Sequence, residues 1–254
     1  MSEINLAHMT GASTHQGQVR DHNEDGWYAC EERGLWAVAD GMGGHENGEW
    51  ASAVVVEALG KLQLDGDFDA CCNEIAAAIY DANEKIQKEA ASSARQMGTT
   101  AVVLFVRGTR FAILWVGDSR AYLLRAGELL QLSKDHTQVQ EMVDLGMLTD
   151  AEAQAHPMRH VLARAVGVTP NVEVDVIVDE VESGDTFLLA SDGLHCCVPH
   201  ESIERMLAGS SLDAVACDLV NEALDQGAPD NVTVVAVRFR EATVPAVAAA
   251  GEPT

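Results

Sequence analysis

Four aspartates stand where an apolar run meets a turn residue. They occur as Ala39-Asp40-Gly41, Gly117-Asp118-Ser119, Ser191-Asp192-Gly193 and Asp230-Asn231, the last directly ahead of such a run. A carboxylate at a strand end beside glycine lies where backbone can approach a ligand. Each dipeptide alone reads as a turn or a cap. Their recurrence at strand ends points to chemistry instead. Carboxylates gathered at one rim repel each other and raise each other's pKa. Divalent cations relieve that repulsion, and an all-oxygen donor set suits Mg2+, Mn2+ or Ca2+ rather than zinc. Arg20 lies in Arg20-Asp21-His22-Asn23-Glu24-Asp25, which alone reads as a solvated charged loop. Beside carboxylate-bound metal its guanidinium would hold a phosphate-type anion.

Other signatures fail. Asp65-x-Asp67-x-Asp69 opens like an EF-hand loop, but Ala70 and Ala76 occupy the positions that need Gly and Glu. Gly41-Met42-Gly43-Gly44 is followed by no Gly-Lys-Ser/Thr and lacks the third glycine of a dinucleotide fingerprint. There is no G-x-S-x-G elbow. His136, His156 and His195 have no triad spacing and read as surface or capping residues.

The elements that must position these residues follow from patterning. Leu35 to Ala39 reads as a buried strand; 46–62 and 68–91 carry helical spacing. Runs at 99–107, 110–116 and 121–125 are β-branched and apolar, with Gly108-Thr109 and Ala126-Gly127 at hairpin spacing. Gln138 to Ala155 reads as a helix broken near Gly146, with Thr149 or Asp150 capping its second piece. Strands are expected at 172–178, 186–190 and 232–239, and helices at 202–207 and 212–224. Hairpin-linked strands among helices favour α+β, an antiparallel sheet covered by helices, over a doubly wound parallel sheet. No repeat or linker interrupts 10–240, so a single domain over 1–240 is expected, with 241–254 a disordered tail rich in Ala, Pro and Gly.

Composition narrows the function classes. The 254 residues carry 16 basic and 40 acidic side chains, a formal charge of -24, and 47% are hydrophobic. A surface this acidic speaks against nucleic acid and anionic membranes as partners. No apolar run approaches the ~20 residues of a membrane span, and the first ten residues lack the pattern of a signal peptide. The six cysteines, Cys30, Cys71, Cys72, Cys196, Cys197 and Cys217, form no C-x-x-C. They read as reduced, mostly packed thiols of a cytoplasmic protein.

The ordered set of motifs resembles the metal-dependent type 2C (PPM) serine/threonine protein phosphatases in their compact bacterial form. The matching pieces begin with Gly17-Gln18-Val19-Arg20-Asp21-His22-Asn23-Glu24-Asp25, Val38-Ala39-Asp40-Gly41-Met42-Gly43-Gly44 and Gly98-Thr99-Thr100. Val116-Gly117-Asp118-Ser119-Arg120, Ser133-Lys134-Asp135-His136 and His156-Pro157 follow, then Val161-Leu162-Ala163-Arg164-Ala165-Val166-Gly167, Ala190-Ser191-Asp192-Gly193-Leu194 and Asp230-Asn231-Val232-Thr233. Together they cover roughly residues 10 to 240.

The resemblance implies two antiparallel sheets packed as a sandwich, helices on both outer faces, and a flap at about 136–160. It implies that Asp40 bridges two ions, that the Gly41 carbonyl binds one, and that Asp192 and Asp230 complete the first ion's ligands. Glu24 and Asp25 would hold the second ion, and Asp118 with Asp192 a third. Arg20 would grip the phosphate. Two or three Mn2+ or Mg2+ ions are thus the expected cofactors. A metal-bridging water would attack phosphorus directly, dephosphorylating phosphoserine or phosphothreonine in proteins and opposing a cognate serine/threonine kinase. The catalytic residues would be Arg20, Asp40 and Asp192. A monomer is the default. The alternatives are a non-catalytic phosphoprotein-binding relative and a phosphatase of small phosphoesters. Two departures stand out. Met42 replaces a histidine present in many eukaryotic members, leaving a metal-bound water or His45 as acid, and His195-Cys196-Cys197 stands where relatives often have an acidic residue. Packing is the expected role of those two thiols.

Overall fold

The computed structural model describes residues 6–44 and 46–241. The chain opens with β1 (Leu6–His15), β2 (Asp25–Cys30) and β3 (Leu35–Met42). Two helices follow, α1 (Glu46–Gly60) and α2 (Phe68–Ser93). Next come β4 (Gly98–Thr99), β5 (Ala101–Arg107), β6 (Arg110–Val116), β7 (Arg120–Arg125) and β8 (Glu128–Gln131). Two short helices, α3 (Gln138–Asp144) and α4 (Asp150–Gln154), precede β9 (Asp175–Glu180) and β10 (Thr186–Ala190). The chain then forms α5 (Asp192–His195), α6 (His200–Leu207), α7 (Leu212–Asp225) and β11 (Val232–Glu241).

The strands make two antiparallel sheets. One runs β1-β11-β10-β7-β8; the other runs β2-β3-β5-β6-β9, with β4 pairing on β3. Strand alternation assigns side chains to layers. Trp36 and Val38 point into the space between the sheets, whereas Leu35, Ala37 and Ala39 pack beneath α1 and α2. On the facing sheet Phe187 and Leu189 enter the same central layer, and Leu188 and Ala190 lie under α6 and α7. Phe111 of one sheet meets Phe187 of the other with ring centroids 4.8 Å apart, and Trp36 meets Phe239 at 6.1 Å. Edge-to-face pairs of this kind add to area burial. With both faces of each sheet covered, central strands read as unbroken apolar runs although their pairing is antiparallel. Among the described residues no helix is long and apolar enough to cross a membrane.

The α+β expectation and the sandwich both hold. Several boundaries do not. Strands β1 and β2 carry weak sequence signals: β1 reads LAHMTGASTH and contains glycine. It is held as a strand by ten paired positions along β11, and a Cβ at Gly11 would stand 2.3 Å from the Leu212 backbone at the start of α7. The 172–178 strand starts later, at Asp175, because Val172 and Val174 are taken up by the core under α2. The segment after Ser191 is a helical turn, α5, that the patterning does not announce. The expected tail lies outside the described residues beyond Glu241, and so does His45.

The 138–155 segment forms two pieces, as its break at Gly146 predicts. Thr137 caps α3 through the Gln140 amide. Thr149, not Asp150, caps α4, forming a reciprocal capping box with Glu152. The base of this segment is fastened near Asp118. The His136 amide donates to the Gly117 carbonyl at 2.9 Å, and the Gly117 amide donates to His136 Nδ1 at 3.0 Å.

Candidate active site

The site forms where strand ends of both sheets meet. The pairing of β2 with β3 sets Asp25 directly opposite Asp40. Like charges facing each other across a ladder destabilise it unless something neutralises them. Asp118 lies in the three-residue crossing from β6 to β7, which carries the chain from one sheet to the other. Asp192 opens α5 after β10, and Asp230 precedes β11. Arg20, Glu24, Asp40, Gly41, Asp118, Asp192 and Asp230 line a cleft of about 650 Å³. All seven are among the site residues expected from the motifs. Asp25, the eighth, interacts with Asp40, Asp192 and Asp230 from the β2 strand end.

Uncharged groups hold this cluster. The Asp40 amide donates to Thr100 Oγ1 at 2.9 Å, and the Thr100 amide returns a bond to the Asp40 carbonyl at 2.8 Å. Thr100 Oγ1 also meets Ser119 Oγ at 2.6 Å. Ser191 Oγ donates to Asp25 Oδ2 at 2.8 Å and accepts from the Thr233 amide at 2.9 Å. Asn231 pins the 16–24 loop: Oδ1 accepts from the Glu24 amide at 2.8 Å, and Nδ2 donates to the Gln16 and His22 carbonyls, both at 2.9 Å. Thr100, Asn231, Ser191 and Thr233 stand inside the quoted motifs, but residue order alone assigns them no role. Their signal is adjacency to the aspartates, and their partners are visible only in three dimensions.

Two glycines are required by close approach. Glu24 reaches the cleft alongside α1, where a Cβ on Gly48 would stand 1.8 Å from Glu24 Oε2. A Cβ on Gly193 would stand 2.0 Å from the Asn231 carbonyl oxygen.

Burial and crowding shape the charge state. Burial, reinforced by Asp192 and Asp230, pushes Asp25 up to about 7, against the pull of hydrogen bonds from Thr233 and Ser191. Burial pushes Asp118 up to about 8, with Asp192 and Asp135 adding to it. Asp40 is raised well above the carboxylate range by burial and then by Asp25, Asp192, Asp118 and Asp230. Asp192 goes the other way. Burial, the largest influence, raises it, but His160, His195 and Arg20 together hold it below its ordinary value. Within this coupled group burial and repulsion favour protons on Asp25, Asp40 and Asp118, whereas Asp192 favours its charge.

The donor set fits hard divalent ions. Asp25 Oδ1 and Asp192 Oδ1 are buried without a hydrogen-bond partner. Orphaned buried carboxylate oxygens are costly, and an oxygen-rich site for Mg2+ or Mn2+ supplies what they lack.

Residues 12–231 match the family model described as Protein phosphatase 2C. The chain belongs to the protein phosphatase 2C family. It is 40% identical over 237 residues to the serine/threonine protein phosphatase PstP of Mycobacterium tuberculosis, covering 92% of this chain and 46% of that protein. The chain thus spans about half the length of that relative. It is 35% identical to the serine/threonine phosphatase stp of Listeria monocytogenes, covering 88% of this chain and 93% of the other. A solved structure of the PstP catalytic domain in complex with two manganese ions superposes with a TM-score of 0.84 at 38% identity, covering 93% of this chain and all of that one. PppA, described as a key regulatory component of T6SS in Pseudomonas aeruginosa, superposes with a TM-score of 0.87 at 37% identity over 92% of this chain and all of that one.

Two histidines depart from the surface roles expected of them. His136 is buried, with Nε2 3.2 Å from Asp175 Oδ2. His195 Nε2 lies 3.1 Å from the Asp118 carbonyl, and burial drives its pKa down to about 4, leaving it neutral. Packing accounts for Cys197, which lies against the α6–α7 core. It does not account for Cys196, which is exposed and lines the cleft. All six cysteines are free.

Proposed function

We propose that the chain dephosphorylates phosphoserine and phosphothreonine in proteins, as a single cytoplasmic phosphatase domain opposing a serine/threonine kinase. The observation that carries this reading is the convergence of six acidic side chains from both sheets beside the cleft's guanidinium, Arg20. Asp40, Asp192, Asp230 and the Gly41 carbonyl would hold one Mn2+ or Mg2+, Asp40, Glu24 and Asp25 a second, and Asp118 with Asp192 a third. When bound, the ions supply an acidified water nucleophile and offset charge on the phosphoryl oxygens.

The chain's own residues do the rest. Arg20 holds the phosphate's equatorial oxygens and adds electrostatic stabilisation as charge redistributes. Asp40 and Asp192, anchored through Thr100 and α5, fix the attacking side of the cleft relative to Arg20. Met42 lines the cleft and has no proton to give, so the proton for the leaving alkoxide would come from another group, water or His45. The 136–160 segment is the flap beside the cleft, contributing His160 to its wall.

Phosphate release from a phosphothreonine peptide in Mn2+, lost on chelation and lost in Asp40→Asn and Asp192→Asn, supports the reading. Tight phosphopeptide binding in Mn2+ without turnover would instead establish a non-catalytic binding module. Higher kcat/KM on small phosphomonoesters than on phosphopeptides would establish a small-ester phosphatase, since remote binding contacts favour the larger substrate.

A further inference from the structure

Asp192 and Cys196 are four residues apart, the first at the start of α5 and the second just past its end, so both side chains emerge on one face. His160 faces them from the other side of the cleft. Its Nδ1 is 3.8 Å from Asp192 Oδ2 and 3.8 Å from Cys196 Sγ. The three potential ligand atoms all lie within 4.8 Å of one another. We propose that His160 Nδ1, Asp192 Oδ2 and Cys196 Sγ form a further site for a soft divalent ion, Zn2+ by donor type, which shares Asp192 with the oxygen-lined centre, and that filling it withdraws Asp192 from that centre.

The three ligand atoms stand slightly wider apart than a bound zinc ion would hold them. With Zn–N and Zn–O near 2.1 Å and Zn–S near 2.3 Å, ligand atoms around zinc stand roughly 3.4–3.6 Å apart. His160 Nδ1 stands 3.8 Å from both Asp192 Oδ2 and Cys196 Sγ, a few tenths of an ångström beyond those values. The donor set of one nitrogen, one oxygen and one sulfur selects zinc over Mg2+ or Mn2+, which favour oxygen throughout. The way in is open, because Cys196 and His160 are both exposed. On binding, the Cys196 thiol gives its proton to solvent and ligates as thiolate. Three protein ligands leave a fourth position for water, which suits exchangeable binding. The ion would tie the 155–165 segment to α5 across the mouth of the cleft.

The inhibitory consequence rests on the proposed phosphatase activity; the binding does not. The full chain is titrated with Co2+ as an optical probe and with Zn2+ against a chromogenic chelator, in wild type, Cys196→Ser and, as a control, Cys217→Ser. A near-ultraviolet thiolate-to-cobalt band is expected in wild type and Cys217→Ser and absent in Cys196→Ser. Zinc affinity should fall about 10- to 100-fold in Cys196→Ser alone. With each variant referred to its own rate in Mn2+ alone, the Zn2+ concentration that halves phosphopeptide hydrolysis should rise by about tenfold or more in Cys196→Ser and not in Cys217→Ser. Absence of the cobalt band in wild type, equal zinc affinities, or a band lost in Cys217→Ser instead would overturn the site. Absence of hydrolysis in Mn2+ alone would overturn the proposed function and leave the cobalt band to decide the site.

Discussion

Arg20 and Asp230, 210 positions apart in the chain, meet through an Nη2–Oδ2 contact of 2.7 Å at the cleft. Their side chains are 53% and 36% exposed, so the pair adds little to stability. Its value is positional: it holds the guanidinium at the cleft beside Asp230, where the proposed grip on phosphate would use it. Arg20→Ala should therefore lower kcat/KM for a phosphopeptide by about 10- to 100-fold, the range of a charge-assisted hydrogen bond. Its melting temperature should stay within about 2 °C of wild type. Steady-state kinetics with a melting curve checks both; a large loss of stability would mean that the pair is structural.

Asp40 sits among four other carboxylates, so its charge opposes folding of the metal-free chain. Asp40→Asn should abolish Mn2+-dependent turnover yet stabilise the metal-free protein, by on the order of 1 kcal/mol or a few degrees. The same variant should lose most of the stabilisation that Mn2+ gives wild type. Thermal melts with and without chelator measure this. Lower stability of the metal-free variant would contradict the repulsion described.

The pH dependence of the metal-free protein follows with its sign. Asp25 and Asp118 titrate near 7 and 8 in the folded chain, against about 3.9 when unfolded. Over that interval the folded state binds more protons, so stability must fall as pH rises. In chelator, the melting temperature should decline from about pH 4 to about pH 8, and saturating Mn2+ should flatten that decline. A chelated protein whose stability rises across this range would refute the assignment.

Gly48 tests the cradle for Glu24. Alanine would ordinarily favour a helix over glycine by about 1 kcal/mol. Here the new methyl would stand 1.8 Å from Glu24 Oε2 and must displace the carboxylate. Gly48→Ala is expected to raise the Mn2+ concentration for half-maximal activity about tenfold while leaving the fold intact. Manganese titration with circular dichroism reads the two effects separately.

Away from the cleft, Arg125 makes a paired contact with Asp185, whose side chain is 1% exposed. Arg125→Ala strands that buried charge and should cost about 3 kcal/mol. Urea denaturation checks it, and the manganese dependence should not move.

Much of this was legible from residue order. The apolar runs ending at Asp40, Asp118 and Asp192 marked strand ends because a buried strand must turn where polar residues begin. The acidic positions therefore predicted their own convergence. The groups that hold them were not legible. Thr100, Ser191 and Asn231 are ordinary residues whose partners lie 19, 166 and 207 positions away. Strand β1 escaped because its pattern is weak and its stability comes from β11. Cys196 escaped because its exposure depends on α5, a single turn that no periodicity can announce.

The Gly117–Ser119 crossing has a mechanical meaning. Only three residues join β6 in one sheet to β7 in the other, and Asp118 is the middle one. Its neighbours are clamped to both sides, Gly117 to His136 and Ser119 to Thr100. Any sliding of one sheet over the other must strain this short link before it reaches the longer loops. The alignment of the two sheets and the spacing of the carboxylates are thus coupled, and an ion held in the cleft as proposed would act on the sandwich as a latch pin does on two leaves.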